Sequence, residues 1–354
     1  MISFFGIFLL LAFAGAYFFF RSEYKRKEAE GLIHAFPRRV VKTPALIWVL
    51  AAFVIGAKLL YWWQYRSVYI GTPQEYIFSL RGSLVGGLVV GLASWVIVRY
   101  WRPANPASAV EWMHPYQLMD RLLLYCGLWG FAGAVVFARF ESPPSWEGLS
   151  FDHLFTFPGF NYYGALIAGA LVYLYINKRH GIRPAIAADI GSPGMMLAYA
   201  IGRIGCQVAG DGDWGIVNDK PLPFWMRWLP EWMWAYRYPH NSVHQGIYIP
   251  GCTGSNCTVL PLPVYPTPLY ETIICLCLFF LLWRLRRKIK TPGLLFACFA
   301  ILNGTERLFI EFIRVNPRWS IGPWDLSQAQ VLALGWIFTG VTVLIVSSRN
   351  TSIS

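Results

Sequence analysis

The chain has 354 residues, of which 56% are hydrophobic and 14% charged, a balance that excludes an ordinary soluble domain. Its formal net charge is +12, but the basic residues sit in short segments between apolar runs. No nucleic-acid-binding motif accompanies them, so the surplus reads as the positive-inside bias of a membrane protein rather than as a nucleic-acid surface. The expected fold class is an all-α integral membrane protein, a polytopic bundle of about nine transmembrane helices with a small periplasmic head.

The apolar runs fall at about 2–20, 44–64, 82–98, 121–138, 160–177, 184–203, 267–284, 293–313 and 328–346. Met1 to Phe20 carries no charge and lacks both a basic leader and a small-residue cleavage site, so it reads as a retained first span rather than a signal peptide. Basic residues occupy alternate loops. Arg21, Lys25, Arg26 and Lys27 follow the first span, Arg99 and Arg102 the third, Lys178, Arg179 and Arg183 the fifth, and Arg284, Arg286 and Arg287 the seventh. That side is therefore expected to be cytoplasmic, with the N-terminus outside and the C-terminus inside.

Three divisions follow: residues 1–203 with six spans, a head at 204–266, and residues 267–354 with the last three. Within the first, 44–98 reads as an additional helix pair, and Gly86, Gly87 and Gly91 suit close helix packing there. The aromatic outer loop 139–160 contains Glu141, Glu147, Asp152 and His153, and Pro143 and Pro144 break any helix in it. It reads as a re-entrant or interfacial flap. The sixth span holds Asp189 and Pro193; an intramembrane carboxylate should face the bundle and find a partner. Cys252 and Cys257 in the head could pair in an oxidising compartment. Their surroundings lack the further ligands a zinc site needs, so no metal or cofactor is expected.

The densest chemistry lies in Gly202-Arg203-Ile204-Gly205-Cys206 and the following Gly210-Asp211-Gly212-Asp213-Trp214-Gly215. An arginine at an apolar boundary, glycines that permit close backbone approach, and two carboxylates together fit a site for an anionic head group. They equally fit a helix end with a snorkelling arginine and a Gly-rich turn. The eighth run ends Glu306-Arg307, then Glu311 and Arg314; Arg307 and Glu311 at i, i+4 share a helix face. Either a structural ion pair or two arginines, Arg203 and Arg307, converging on one phosphate would account for them.

These stretches resemble the prolipoprotein diacylglyceryl transferases. Gly202-Arg203-Ile204-Gly205 with Gly210-Asp211 and Trp214-Gly215 is similar to that family's Gly-Arg-x-Gly-Asn-x-x-x-Gly-Glu-x-Trp-Gly signature. Tyr163-Gly164-Ala165-Leu166-Ile167 resembles its His-Gly-Gly-Leu-Ile, and Pro268-Leu269-Tyr270-Glu271 its Gln-Leu-Tyr-Glu. Asn303-Gly304 through Arg307, Glu311-Phe312 and Arg314 resembles its Gly-x-x-Arg-x-x-x-Glu-Phe-x-Arg, and Leu326-Ser327-Gln328-Ala329-Gln330 its Leu-Ser-x-Gly-Gln. Asp189 with Pro193 and Phe5-Gly6 also match in order. The chain departs at Tyr163, where the family has His, at Cys206 for Asn, at Asp211 for Glu, and by one extra residue before Trp214.

The resemblance implies transfer of a diacylglyceryl group from phosphatidylglycerol to the lipobox cysteine of a prolipoprotein signal peptide, at the inner membrane, with release of glycerol 1-phosphate. Tyr163, Asp211 and Glu311 are then the candidate catalytic residues. Arg203, Arg307, Cys206, Gly164, Gly215, Tyr270, Glu271 and Arg314 are candidates for substrate and phosphate binding. Arginine suits a leaving phosphate because its fork donates parallel bonds and stays charged. The proton acceptor is open between Tyr163, whose unperturbed pKa is near 10, and a carboxylate, Asp211 or Asp213. Two other readings are an inactive homologue that binds lipid or lipoprotein, and a small-solute transporter. Against the last, no repeat relates the two halves.

Overall fold

The computed structural model describes residues 4–39, 45–65, 82–101, 110–141, 161–254, 256–316, 318–321 and 324–351. Most of the outer loop 139–160, with Glu147, Asp152 and His153, lies outside them. The described helices are α1 (Phe4–Ala29), α2 (Ala45–Tyr65), α3 (Leu84–Trp101), α4 (Met119–Glu141), α5 (Tyr162–Arg179), α6 (Pro184–Ala209), α7 (Thr267–Leu285), α8 (Leu294–Ile310) and α9 (Gln328–Thr351). Each overlaps one predicted run. Five stretches, Gly6–Ala29, Pro115–Ala138, Pro184–Ala209, Thr267–Leu285 and Gln328–Ser348, are long and apolar enough to cross a bilayer; Val49–Gln64 and Leu84–Ile97 are apolar but shorter. Three two-stranded antiparallel sheets pair β1 (Phe36–Arg39) with β2 (Val110–Met113), β3 (Ile247–Tyr248) with β4 (Thr258–Val259), and β5 (Arg318–Ile321) with β6 (Trp324–Ser327).

The chain forms two compact units. The unit His34–Tyr173 contains the α2–α3 pair and α4. Its helices meet through glycines: Gly56 lies against Gly86 and Val90, and the backbone of Gly133 against that of Gly164, so that a Cβ at any of the four would collide with its neighbour. Asn161 begins α5, its Oδ1 accepting the Gly164 N–H at 2.9 Å.

The other unit comprises Met1–Ile33 and Leu174–Ser354. Here α6 packs on α1, α7 and α8, and α8 on α9. Met196 and Ala200 of α6, Cys275, Phe279 and Leu282 of α7, and Leu295 and Phe299 of α8 form its buried apolar core. Buried polar groups fasten the helix ends. The Glu23 carboxylate of α1 pairs with Arg286 just beyond α7, and Tyr24 Oη donates to Asn177 Oδ1 at 2.6 Å.

Asp189 is the partner-seeking carboxylate of the sixth span. Its two oxygens accept the N–H groups of Gly293 at 2.7 Å and Phe296 at 2.8 Å. The first N–H groups of α8 have no partner within their own helix, so a carboxylate from α6 supplies the cap. At the start of α9, Ser327 Oγ accepts the Gln330 N–H at 3.1 Å while Gln330 Oε1 accepts the Ser327 N–H at 3.0 Å. The Leu-Ser-x-x-Gln stretch is thus a reciprocal capping box.

The segment between α6 and α7 leaves α6 through Gly210, in the left-handed region at φ 58°. Trp214, Tyr238, Leu260 and Val264 make its small core. The buried Asn241 side chain donates to the carbonyls of Gln245 and Thr258 and accepts the Gln245 N–H. Cys252 and Cys257 are disulfide-bonded, with a Cα–Cα distance of 5.6 Å. Two single 3₁₀ turns, Phe224–Met226 and Glu231–Met233, each follow a proline.

Candidate active site

Four elements of the larger unit deliver charged side chains to one place. Helix α6 carries Tyr199 and, one turn on, Arg203; α7 carries Glu271 in its second turn; α8 carries Arg307. A 3₁₀ turn, Glu311–Ile313, continues α8 and is followed by Arg314 in extended conformation. The head returns Asp213 to the same point. It is held there because Thr267 Oγ1, at the first residue of α7, donates to the Asp213 carbonyl at 2.7 Å. Gly215 then threads between strands of backbone. Its N–H donates to the Tyr265 carbonyl, the next N–H to that of Ile313, and a Cβ at Gly215 would lie 2.6 Å from the Ile313 oxygen. That close approach sets Arg314 beside the head.

Glu271 is the centre. Its side chain is fully buried. Oε1 accepts from Arg307 Nη1 at 2.8 Å and Arg314 Nη1 at 3.3 Å. Oε2 lies 2.8 Å from Arg203 Nε, but that N–H does not point along the contact, so the interaction is Coulombic rather than a hydrogen bond. Asp213 forms a second bridge, one oxygen to Arg203 Nη1 and the other to Arg314 Nη2. Glu311 pairs with Arg307 Nη2 at 3.1 Å and accepts from Asn316 Nδ2. Arg203 Nη2 donates to Tyr199 Oη at 3.2 Å. Three guanidiniums therefore share three carboxylates. A fourth, Glu306, is buried among them, with neither oxygen hydrogen-bonded among the described residues.

The cluster is graded in exposure. Glu271 is closed off, whereas the Asp213 side chain is 34% exposed and Arg203 and Arg307 reach the surface at their edges. Asp213 occupies the position between two arginine forks that an incoming anion would contest.

Asp211 and Asp213 have diverged in chemistry. Burial pushes the Asp211 carboxyl up, and the charge of Asp213 pushes it further. Burial acts the same way on Asp213, but Arg203 and Arg314 outweigh it and hold that carboxyl below the ordinary range. Cys206 is buried, with Sγ 3.8 Å from Arg203 Nη1. The ligand atoms of Cys206, Asp211 and Asp213 lie within 4.8 Å of one another. Asp213 is already committed to two guanidiniums, so this set fits a charge-sharing role better than a cation site.

Of the residues singled out in the sequence, Arg203, Arg307, Arg314, Glu271 and Glu311 meet directly, Cys206 and Asp211 sit at their edge, and Gly215 seats the backbone. Tyr270 points its hydroxyl into a buried position without a hydrogen-bond partner among the described residues. Tyr163 and Gly164 belong to the other unit, where Gly164 serves the close contact with Gly133. The carboxylate that bridges two arginines is Asp213, not Asp211. Tyr199, Thr267 and Glu306 are additions; Tyr199 is the one with a signal in the sequence, since it stands four residues before Arg203 on the same helix face.

The family model described as prolipoprotein diacylglyceryl transferase matches residues 107–346, beginning just after the α2–α3 pair. A protein of Leptospira interrogans named phosphatidylglycerol–prolipoprotein diacylglyceryl transferase is 30% identical over 167 residues, which cover 47% of this chain and 44% of that one. One of the same name from Dehalococcoides mccartyi is 27% identical over 268 residues, covering 74% and 86%, and one from Clostridium tetani is 31% identical over 189 residues, covering 52% and 63%. The chain thus spans less than half the length of the Leptospira relative and most of the Dehalococcoides one.

Proposed function

The chain belongs to the prolipoprotein diacylglyceryl transferase family, and from that premise we propose that it transfers the diacylglyceryl group of phosphatidylglycerol to the lipobox cysteine of a prolipoprotein signal peptide. The observation that carries the reading is the sharing of Asp213 and Glu271 by Arg203, Arg307 and Arg314. A lipid phosphate entering at the exposed edge displaces Asp213 and takes its place between the forks of Arg203 and Arg314. Glu271, being buried, stays as the fixed counter-charge, and Glu311 orients Arg307 toward the same phosphate. The arrangement is prepaid: the arginines already point at an anion's position before one arrives.

In the reaction, the thiol sulfur forms a bond to the terminal glyceryl carbon as that carbon's bond to the phosphate oxygen breaks. Glycerol 1-phosphate leaves with the bonding pair, and its added negative charge falls on the arginines. The thiol proton passes to Asp211, the more basic of the two head carboxylates because burial and Asp213 both raise it. Arg203 also stabilises the thiolate that forms. Tyr163, on the other unit, enters this reading through the family resemblance alone.

The cluster then lies at the outer face of a nine-span bundle in the inner membrane, with a periplasmic head at 204–266, the N-terminus outside and the C-terminus cytoplasmic. The Cys252–Cys257 bond supports that side for the head, since disulfides persist in oxidising compartments. The test is mass spectrometry of a lipobox peptide incubated with purified protein and phosphatidylglycerol. A diacylglyceryl adduct on the cysteine that is lost with Arg203→Ala is expected. Absence of the adduct from folded wild-type protein overturns the reading.

A further inference from the structure

The segment between Asn218 and Trp234 is a closed loop with an unusual surface. Asn218 Nδ2 donates to the Trp234 carbonyl at 2.7 Å and Trp234 Nε1 to that of Lys220 at 3.0 Å, tying its base. Phe224, Trp225 and Trp228 then project 81%, 71% and 79% exposed, with Trp232 beside them. A water-facing surface does not ordinarily hold three such rings together. The Trp228 indole N–H is already bonded to the Trp225 carbonyl at 2.8 Å, so that ring needs no polar partner. Arg227 lies over the Phe224 ring at 5.3 Å. Lys220 and Arg227 are exposed on the segment, balanced by Asp219 and Glu231, and Arg237 follows just beyond its base.

The position of the loop identifies what covers these rings. Tyr236 pairs with Val264, three residues before α7 begins at Thr267; at about 3.3 Å per extended residue the loop base stands roughly 10 Å from the helix end. The Trp234 ring packs edge-on against Tyr265 at 5.3 Å. Because α6 and α7 are both of spanning length and composition, the loop base stands at the outer edge of the layer of lipid head groups, which is on the order of 5–8 Å deep on each side of a bilayer, and rings projecting from the loop are within reach of that layer. Tryptophan with arginine is the composition that partitions to that layer.

We propose that residues 221–233 form a monotopic foot, two 3₁₀ turns that bury Phe224, Trp225 and Trp228 at the boundary between head groups and acyl chains of the bilayer that holds α6 and α7. Arg227 and Lys220 contact the anionic head groups of that leaflet. The foot ties the head, and with it Asp213, to the membrane plane.

Two measurements on the full chain in phosphatidylethanolamine–phosphatidylglycerol nanodiscs test this. The first takes the emission lost in the double variant W225F/W228F as the signal of those two rings. That difference emission is expected to fall about twofold or more when the acyl chains are brominated near the head group, and to resist iodide added in solution. The second needs no variant: hydroxyl-radical oxidation of Trp225 and Trp228 in the wild-type protein is expected to be several-fold slower than in a peptide of residues 221–237. Iodide-sensitive, bromolipid-insensitive emission with peptide-like oxidation overturns the proposal. So does protection that appears only on adding a lipobox signal peptide, which would assign the surface to that peptide, or only in discs holding two copies, which would assign it to self-association.

Discussion

Replacing Glu271 by Gln keeps the shape of the side chain and removes the charge on which Arg203, Arg307 and Arg314 converge. After the change Arg307 retains only Glu311, and Arg203 and Arg314 are left to share Asp213. Glu271 is fully buried and lies 2.8, 2.8 and 3.3 Å from its three partners, so solvent cannot replace it. Removing one member of a buried ion pair costs about 3–5 kcal/mol, most of it from the stranded charge. Asp213 is a third exposed, and water screens the loss; Asp213→Asn should cost about 1–2 kcal/mol by comparison. The assay is the midpoint of thermal unfolding in nanodiscs, read for both variants and their combination. Glu271→Gln is expected to lower the midpoint by clearly more than Asp213→Asn. The double variant should exceed additivity, because each single variant leaves Arg203 and Arg314 one carboxylate to share and the double leaves them neither. If Asp213→Asn proved the more damaging to stability, or Glu271→Gln left the midpoint unchanged, the assignment of Glu271 as the fixed counter-charge would be refuted.

Arg203→Lys keeps the charge but cannot reach Asp213, Glu271 and Tyr199 from separate nitrogens as the guanidinium does. Adduct formation should fall about 100-fold, with the thermal midpoint shifting less than for Arg203→Ala. For Asp211, whose folded carboxyl titrates above its unfolded value near 3.9, the ionised form accepts the proton. The acid limb of the transfer rate should therefore lie above the ordinary carboxylate range, and Asp211→Asn should abolish both the limb and most of the rate. Asp213 behaves oppositely: its stabilising contribution is present above the unfolded value and is lost as pH falls through the lower folded one, so Asp213→Asn should destabilise at pH 7 and match wild type at the acid extreme. Ser327→Ala, which removes one half of the α9 capping box, should cost about 1 kcal/mol of stability and leave the rate per folded molecule unchanged.

The helices and most of the site were legible in the sequence for definite reasons. Apolar runs placed each of the described helices, and the i, i+4 spacing of Arg307 and Glu311 anticipated a pair that the structure contains. What was not legible depends on loops and on distant partners. Which aspartate reaches the arginines is decided by the left-handed turns at Gly210 and Gly212, φ 58° and 96°; these rotate Asp213 inward and leave Asp211 against Cys206. The one-residue lengthening before Trp214 hides that choice from any alignment of motifs. Asp189 was recognisable as a carboxylate in need of a partner, but its partners are backbone N–H groups more than a hundred residues away. Ser327 and Gln330 stood out as a motif and turn out to cap a helix.

The Asp189 junction has a consequence for how the site keeps its dimensions. Arg203 stands fourteen residues beyond Asp189 on α6, and Arg307 fourteen residues beyond Gly293, the residue whose N–H Asp189 accepts, on α8. The two helices run the same way from that joint, so each arginine is set by an equal arm of about 21 Å. The carboxylate acts as the common zero of two matched rulers. Deleting one residue from either arm would lower its arginine by about 1.5 Å and swing it by roughly 100° around the axis, whereas removing one from both would slide the pair together. The distance between the guanidiniums is thus gauged at the far end of the bundle from the place where it is used.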